Sequence, residues 1–380
     1  MNNFFLMVFV FCYANTTFAQ SNNSPYSIIG VGDIEKSSLD RTTGMGYSGV
    51  ALNSSKSLFN GNPASYSFLE NHFFHVETSL RYKGIEYAGK PITSVTNNQS
   101  SDLVTKKIIF AIKPKNKWGL SFGLQPFSTI NYSFYADKTI QGTGSTTSTY
   151  YEGTGGLNKV YVANAYQITK GLSVGLEAAH IFGQQNQTET ISSSFSGSEI
   201  TTNRNSYLNG NTLKLGVQYN KDISKKMNVA FGGTISNKTT LKANYDLLVK
   251  DGTTTIEEKE QFKSNFFTMP LIYTTGLALT YKKKYTWAID YNYQDWASNH
   301  YSGLNYQLVN SNRISTGFEI KNFKNYINTK VEKSYFQLGA FYNNSYLKVN
   351  NNQINDFGIT AGAGLHSFKN GLGLQAAIEY

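Results

Sequence analysis

The residues that could do chemistry in this chain are few, and their pattern describes a polar interior better than a reaction. The histidines His72, His75, His180, His300 and His366 form no pair at metal-ligand spacing, so neither a metal nor another cofactor is expected. No nucleophile elbow, phosphate loop or dinucleotide fingerprint occurs, and Gly362-x-Gly364 lies inside a strand pattern with no helix after it. No Ser, His and acid stand in a triad-like arrangement. The chain therefore does not read as an enzyme. What remains is a set of charges, Glu77, Arg81, Glu177, Lys214, Asp290, Glu319, Lys321 and Glu379, that alternation places on the same side as small residues. Such charges need partners once water is scarce, so they are expected to pair with one another or to tie down a plug. Substrate contact is the lesser expectation.

The elements that carry them are strands. From Phe73 onward about ten residues alternate apolar with small or polar, then turn, again and again. Leu172, Val174, Leu176 and Ala178 alternate with Ser173, Gly175, Glu177 and Ala179, and Tyr285 to Tyr293 alternates likewise with Asp290 on the small face. Tyr82, Tyr132, Tyr135, Tyr161, Tyr219, Tyr273, Tyr281, Tyr285 and Tyr301 fall near the strand ends, as an interfacial girdle would. With 27 Tyr and 25 Phe but a mean hydropathy of -0.36, the chain is rich in strand formers yet hydrophilic overall. After the first twenty residues no apolar stretch is long enough for a spanning helix, and only a closed barrel satisfies backbone polar groups in lipid without one. The fold expected is an all-β transmembrane antiparallel barrel.

Residues 1–19 read as a signal peptide, with an apolar run from Phe4 to Tyr13 and Thr17-Phe18-Ala19 before Gln20. The sole cysteine, Cys12, lies within it, so disulfides are excluded from the rest. The net charge of +10 is spread over scattered lysines, which argues against nucleic acid as a partner and for turns beside an anionic lipid surface. Short lysine-bearing turns such as Lys282-Lys283-Lys284 alternate with long Ser, Thr, Asn and Gly-rich connections at 92–102, 137–156, 190–203 and 248–263. That asymmetry places the short turns in the periplasm and the long loops outside. Residues 20–71 break the strand pattern with Gly30, Gly32, Gly44, Gly46, Gly49 and Gly61, and are expected to form a hatch, with at best a short helix over 48–59; residues 72–380 form the barrel.

The order Gly44-Met45-Gly46-Tyr47-Ser48-Gly49-Val50-Ala51, then Asn62-Pro63-Ala64 about ten residues before the first strand, resembles the FadL/TodX family of outer-membrane transporters for hydrophobic compounds. The resemblance is clearest over residues 25–136. It implies a plugged barrel of fourteen strands in the cell outer membrane whose third strand kinks inward to open a side exit. Gly123, Pro126 and Phe127 stand where that kink would fall, since proline cannot donate to a ladder. Pro126 is equally placed to mark the outer rim of the wall.

Transport of fatty-acid-like molecules is the function expected, with membrane lipid and a hydrophobic small molecule as partners and an apolar pocket of about 300 to 1,000 Å3 between hatch and loops. The alternative is an outer-membrane scaffold or shuttle whose outer loops dock a protein of a secretion or assembly complex. About thirteen crossings are countable against the even number of a bacterial single-chain barrel, so about 13 to 14 strands are expected, with the last missing and Tyr380 at the outer rim.

Overall fold

The computed structural model describes residues 24–380 except 36–38, 72–73, 88–98, 140–143, 145, 193–198, 304, 327–328 and 367–370; the expected signal peptide and Cys12 lie outside this set. The strands form one sheet of 18 members. They are β1 (Asp33–Ile34), β2 (Phe74–Glu86), β3 (Gln99–Lys115), β4 (Trp118–Thr139), β5 (Thr146–Gln167), β6 (Leu172–Ser192) and β7 (Glu199–Ser224). Then come β8 (Met227–Ser236), β9 (Thr239–Asp251), β10 (Thr254–Met269), β11 (Ile272–Tyr281) and β12 (Tyr285–Gln294). The short β13 (Ser302–Gly303) and β14 (Tyr306–Leu308) precede β15 (Ser311–Tyr326), β16 (Thr329–Val349), β17 (Asn352–His366) and β18 (Gly373–Glu379).

Several of these are collinear. β8 and β9 run as one course along β7, and β10 and β11 follow them as the next, with Pro270 at the second break where a ladder donor is missing. From β2 to β18 every neighbouring course is antiparallel, through twelve successive pairings. An even number of reversals leaves β2 and β18 pointing the same way. Gln375 Nε2 on β18 donates to Glu77 Oε1 on β2 at 3.2 Å. Tyr380, expected at the outer rim, instead exchanges backbone bonds with Ile359, half way along β17.

Alternation decides which side chains meet lipid. Val174 and Leu176 are exposed on β6 while Ser173, Gly175, Glu177 and Ala179 are buried, and Leu213, Leu215, Val217 and Tyr219 form the same outer row on β7. Tyr82, Tyr135, Tyr219, Tyr273 and Tyr281 are exposed as a girdle requires, but Tyr132 and Tyr161 are buried inside the wall. Tyr161 sits between outward Val160 and Val162 and so must point in. The long polar connections are also corrected. Thr139 pairs with Thr146, Ser192 with Glu199 and Asp251 with Thr254, so the ladders run on into the segments expected to be loops. Thr- and Tyr-rich segments keep β propensity when both faces are wet, and low hydrophobicity concealed them as loops.

Residues 24–35 and 39–71 pack against the inner surface of this wall. They hold short 3-10 helices at Pro25–Ile28, Thr43–Met45 and Pro63–Phe68, while 48–59, expected to hold a helix, has none. Glycines make the seating possible. A Cβ on Gly339 would lie 2.1 Å from Gly46 N, one on Gly232 2.1 Å from Val50 O, one on Gly175 2.4 Å from Ala64 N and one on Gly119 2.2 Å from Tyr66 O. Each of these contacts is backbone against backbone, so no rotamer change could relieve it. Gly339→Val should therefore unseat the segment without removing a wall strand. Limited proteolysis should cut between residues 39 and 69 in the variant and not in the parent, while heat-modifiable gel migration stays barrel-like.

Candidate functional site at the β3–β4 seam

Inward charges fasten the N-terminal segment to the wall. Asp290 Oδ2 on β12 accepts the Gly49 and Val50 amides at 2.7 and 2.9 Å. Glu319 on β15 accepts Arg41 Nε at 2.8 Å and Gln337 Nε2 at 2.6 Å, with Lys321 Nζ 3.3 Å away. Arg41 also reaches Glu332 at 2.7 Å and lies 4.0 Å from the Tyr335 ring centroid. Burial alone would lower the guanidinium pKa, but Glu319 and Glu332 outweigh it and hold Arg41 above its ordinary value and charged. Tyr47 donates to Glu379. Glu177, by contrast, stays within the wall, with Lys159 at 2.8 Å and Lys214 at 3.9 Å. Glu77 takes Lys107 at 2.5 Å, whereas Arg81, on the same face of the same strand, turns to Glu35 at 3.1 Å.

The motif residues are buried in this contact. Asn62 is the N-cap of Pro63–Phe68: its Oδ1 accepts the Ala64 amide at 3.0 Å, and its Nδ2 donates to Val50 O at 2.9 Å and Val217 O at 3.0 Å. One side chain thus caps a turn and ties two parts of the segment to β7. Gly44 lies against Gly362 and Gln337, and Gly46, with φ of 62°, against Ala340.

The wall itself changes at Pro126. β3 pairs with β4 only up to Ile108 opposite Leu124, although β3 continues beside β2 to Gln99 and β4 beside β5 to Thr139. A seam therefore opens between the outer parts of β3 and β4, two residues before Pro126. Pro126 faces Asn158 on β5, and Phe127 is the extra residue of a bulge that turns Ser128 and Ile130 inward. Gly123, beneath it, leaves room for Ile109 and Tyr161, whose side chains would meet its Cβ at 2.8 and 2.9 Å. The strand β1 fills part of the seam. Asp33 and Ile34 pair with Thr129 and Ser128, and the Glu35 amide donates to Phe127 O at 2.9 Å.

Among the described residues, an apolar cluster is buried inside the wall. Val31, Leu157, Ile181, Leu208, Leu241, Phe267 and Trp296 form one buried cluster, with the Tyr346 ring 4.6 Å from that of Trp296. A cavity of about 220 Å3 is found elsewhere, beside Leu365, His366, Leu372 and Leu374. Among the described residues no group of His, Cys, Asp or Glu could hold a metal ion.

Sequence reading missed Glu35, Arg41, Lys106 and Lys107. Lys106 is the bulge residue of β3, because Ser79 pairs with Lys107 but Leu80 with Thr105, so both lysines point inward. The signal was present: outward residues fall at odd positions through Leu103 and Thr105 and at even ones from Ile108 to Ile112.

The family model BamG matches residues 1–376. The chain belongs to the BamG family. The chain is similar in structure to a Pseudomonas aeruginosa FadL homologue, at 11% identity over 92% of this chain and 90% of that one, with a TM-score of 0.63. It is also similar to the CymD monoaromatic hydrocarbon channel, at 16% identity over 93% and 92% of the chains and a TM-score of 0.59. The Pseudomonas putida toluene transporter TodX matches at 16% identity over 90% and 91%, with a TM-score of 0.55. The barrel is thus of FadL type. No curated protein sequence matches it significantly.

Glu319→Ala should cost about 3 kcal/mol, because it leaves Arg41 buried with one carboxylate in place of two. Urea unfolding in detergent should report the loss, and Glu177→Ala should leave the protease resistance of residues 39–69 unchanged.

Proposed function

We propose that this chain is an outer-membrane channel that accepts hydrophobic, fatty-acid-like molecules at its outer end and releases them sideways into lipid at Gly123, Pro126 and Phe127. The observation that carries this reading is the end of the β3–β4 ladder at Leu124, which leaves a lateral break between two strands that each keep their other neighbour. The FadL-type fold supports it, as do the structurally similar monoaromatic hydrocarbon channel CymD and toluene transporter TodX. Outer-membrane placement is supported by the apolar outer face and by the same neighbours. Residues 24–71 serve as the hatch. Passage requires the Phe267, Trp296 and Tyr346 cluster to part, since it fills the route.

A second reading has its own support. The filled interior and the tall polar hairpins of β6 with β7 and of β9 with β10 suit an outer-membrane scaffold or shuttle, docked by a protein of a secretion or assembly complex. Crosslinking in native membranes followed by purification separates the two: co-purified lipid-like ligand favours the channel, and a stoichiometric protein favours the scaffold.

Pro126→Val restores a backbone donor where the ladder lapses. Uptake of a fluorescent fatty acid by cells carrying this variant should fall severalfold with assembly intact. Uptake equal to the parent would remove Pro126 from the route.

A further inference from the structure

We infer that residues 33–35 are a strap that closes the β3–β4 seam, with Glu35 as its fastening. The inference rests on the seam's geometry and gives the proposed side exit its closing device. Three observations converge on it. First, β1 lies along the edge of β4 that β3 abandons, pairing at Ser128 and Thr129 just past Pro126. It supplies backbone partners where the wall has lost them. Second, Glu35 spans the seam. Its amide is held by β4 through Phe127 O, while its carboxylate accepts Arg81 Nη1 of β2 at 3.1 Å and Lys106 Nζ of β3. Third, the β3 bulge exists at that level and turns Lys106 inward. Without the extra residue, Lys106 and Lys107 would point to opposite faces and only one could reach the interior.

The strap is also lightly attached, a two-residue strand whose residues are only half-buried. Residues 40–67 are seated against wall glycines and buried carboxylates, whereas β1 is two residues long and depends on one carboxylate. Ser128 lies beneath it, buried, with its hydroxyl donating to Val31 O at 2.6 Å. Release of Glu35 would therefore expose Ser128 while leaving the rest of the segment in place.

The test uses the full chain in outer-membrane vesicles, with Cys12→Ser and Ser128→Cys as reporter, and a membrane-impermeant maleimide as probe. Glu35→Gln should speed labelling by at least about tenfold, the equivalent of about 1.4 kcal/mol in the closing equilibrium. Lys106→Met should do the same, and heat-modifiable migration checks that both variants fold. In a second reporter, Ile34→Cys paired with Ser128→Cys, registered strand partners stand within disulfide reach. Oxidation should block labelling, and reduction should restore it. Labelling rates unchanged by both Glu35→Gln and Lys106→Met would overturn the strap. Faster labelling without any change in fatty-acid uptake would keep the strap and remove the transport reading instead.

Discussion

A backbone amide or carbonyl facing hydrocarbon has no water to turn to, and every wall strand must therefore have a neighbour on each side or a substitute for one. That constraint organises the structure. It explains why β8 and β9 stay collinear against β7 despite the break between them, and why β10 follows β9 before β11 takes up β8. It also explains the N-terminal strand. Where β3 parts from β4, the exposed edge is taken by Asp33 and Ile34, so a piece of the interior segment becomes part of the wall.

The same segment is held elsewhere by a different principle. Wall glycines on β4, β6, β8 and β16 let its backbone approach to distances that any side chain would forbid, and carboxylates then supply directional bonds at Asp290 and Glu319. Close packing fixes position but not register, because dispersion is non-directional. Two amides on one carboxylate fix register, because shifting by one residue would leave Asp290 buried without donors. Glycines and acids thus do complementary jobs on neighbouring strands.

Much of the wall was legible because alternation is a strong signal when one face is lipid and the other is small. The faces of β6, β7, β12 and β17 read directly from residue size. The hairpin tips did not, since both of their faces are wet and the apolar row that marks a strand is absent. Bulges were the other loss. One extra residue at Lys106 or Phe127 inverts alternation beyond it, so residues that alternation placed outward, Tyr132 among them, turn in. Inward charges were recognisable as a class, but their partners lay hundreds of residues away in sequence. Nothing local distinguishes Arg81, which holds the segment, from Glu177, which pairs within the wall.

These differences in attachment decide how the interior can move. Displacing residues 40–67 would break the Asp290 and Glu319 bonds together and vacate the glycine contacts, leaving buried charges unpaired, which is the most expensive state available to the lumen. Displacing residues 33–35 breaks two strand pairs and one carboxylate's contacts; Arg81 is partly exposed and can be solvated, so of the two cations released only Lys106 starts out buried. Local opening draws on the weakest cooperative unit. In this barrel that unit lies where two consecutive wall strands, β3 and β4, cease to pair while both continue on their other sides. Opening there changes the wall without emptying the lumen, so the proposed side exit is compatible with a tightly seated N-terminal segment.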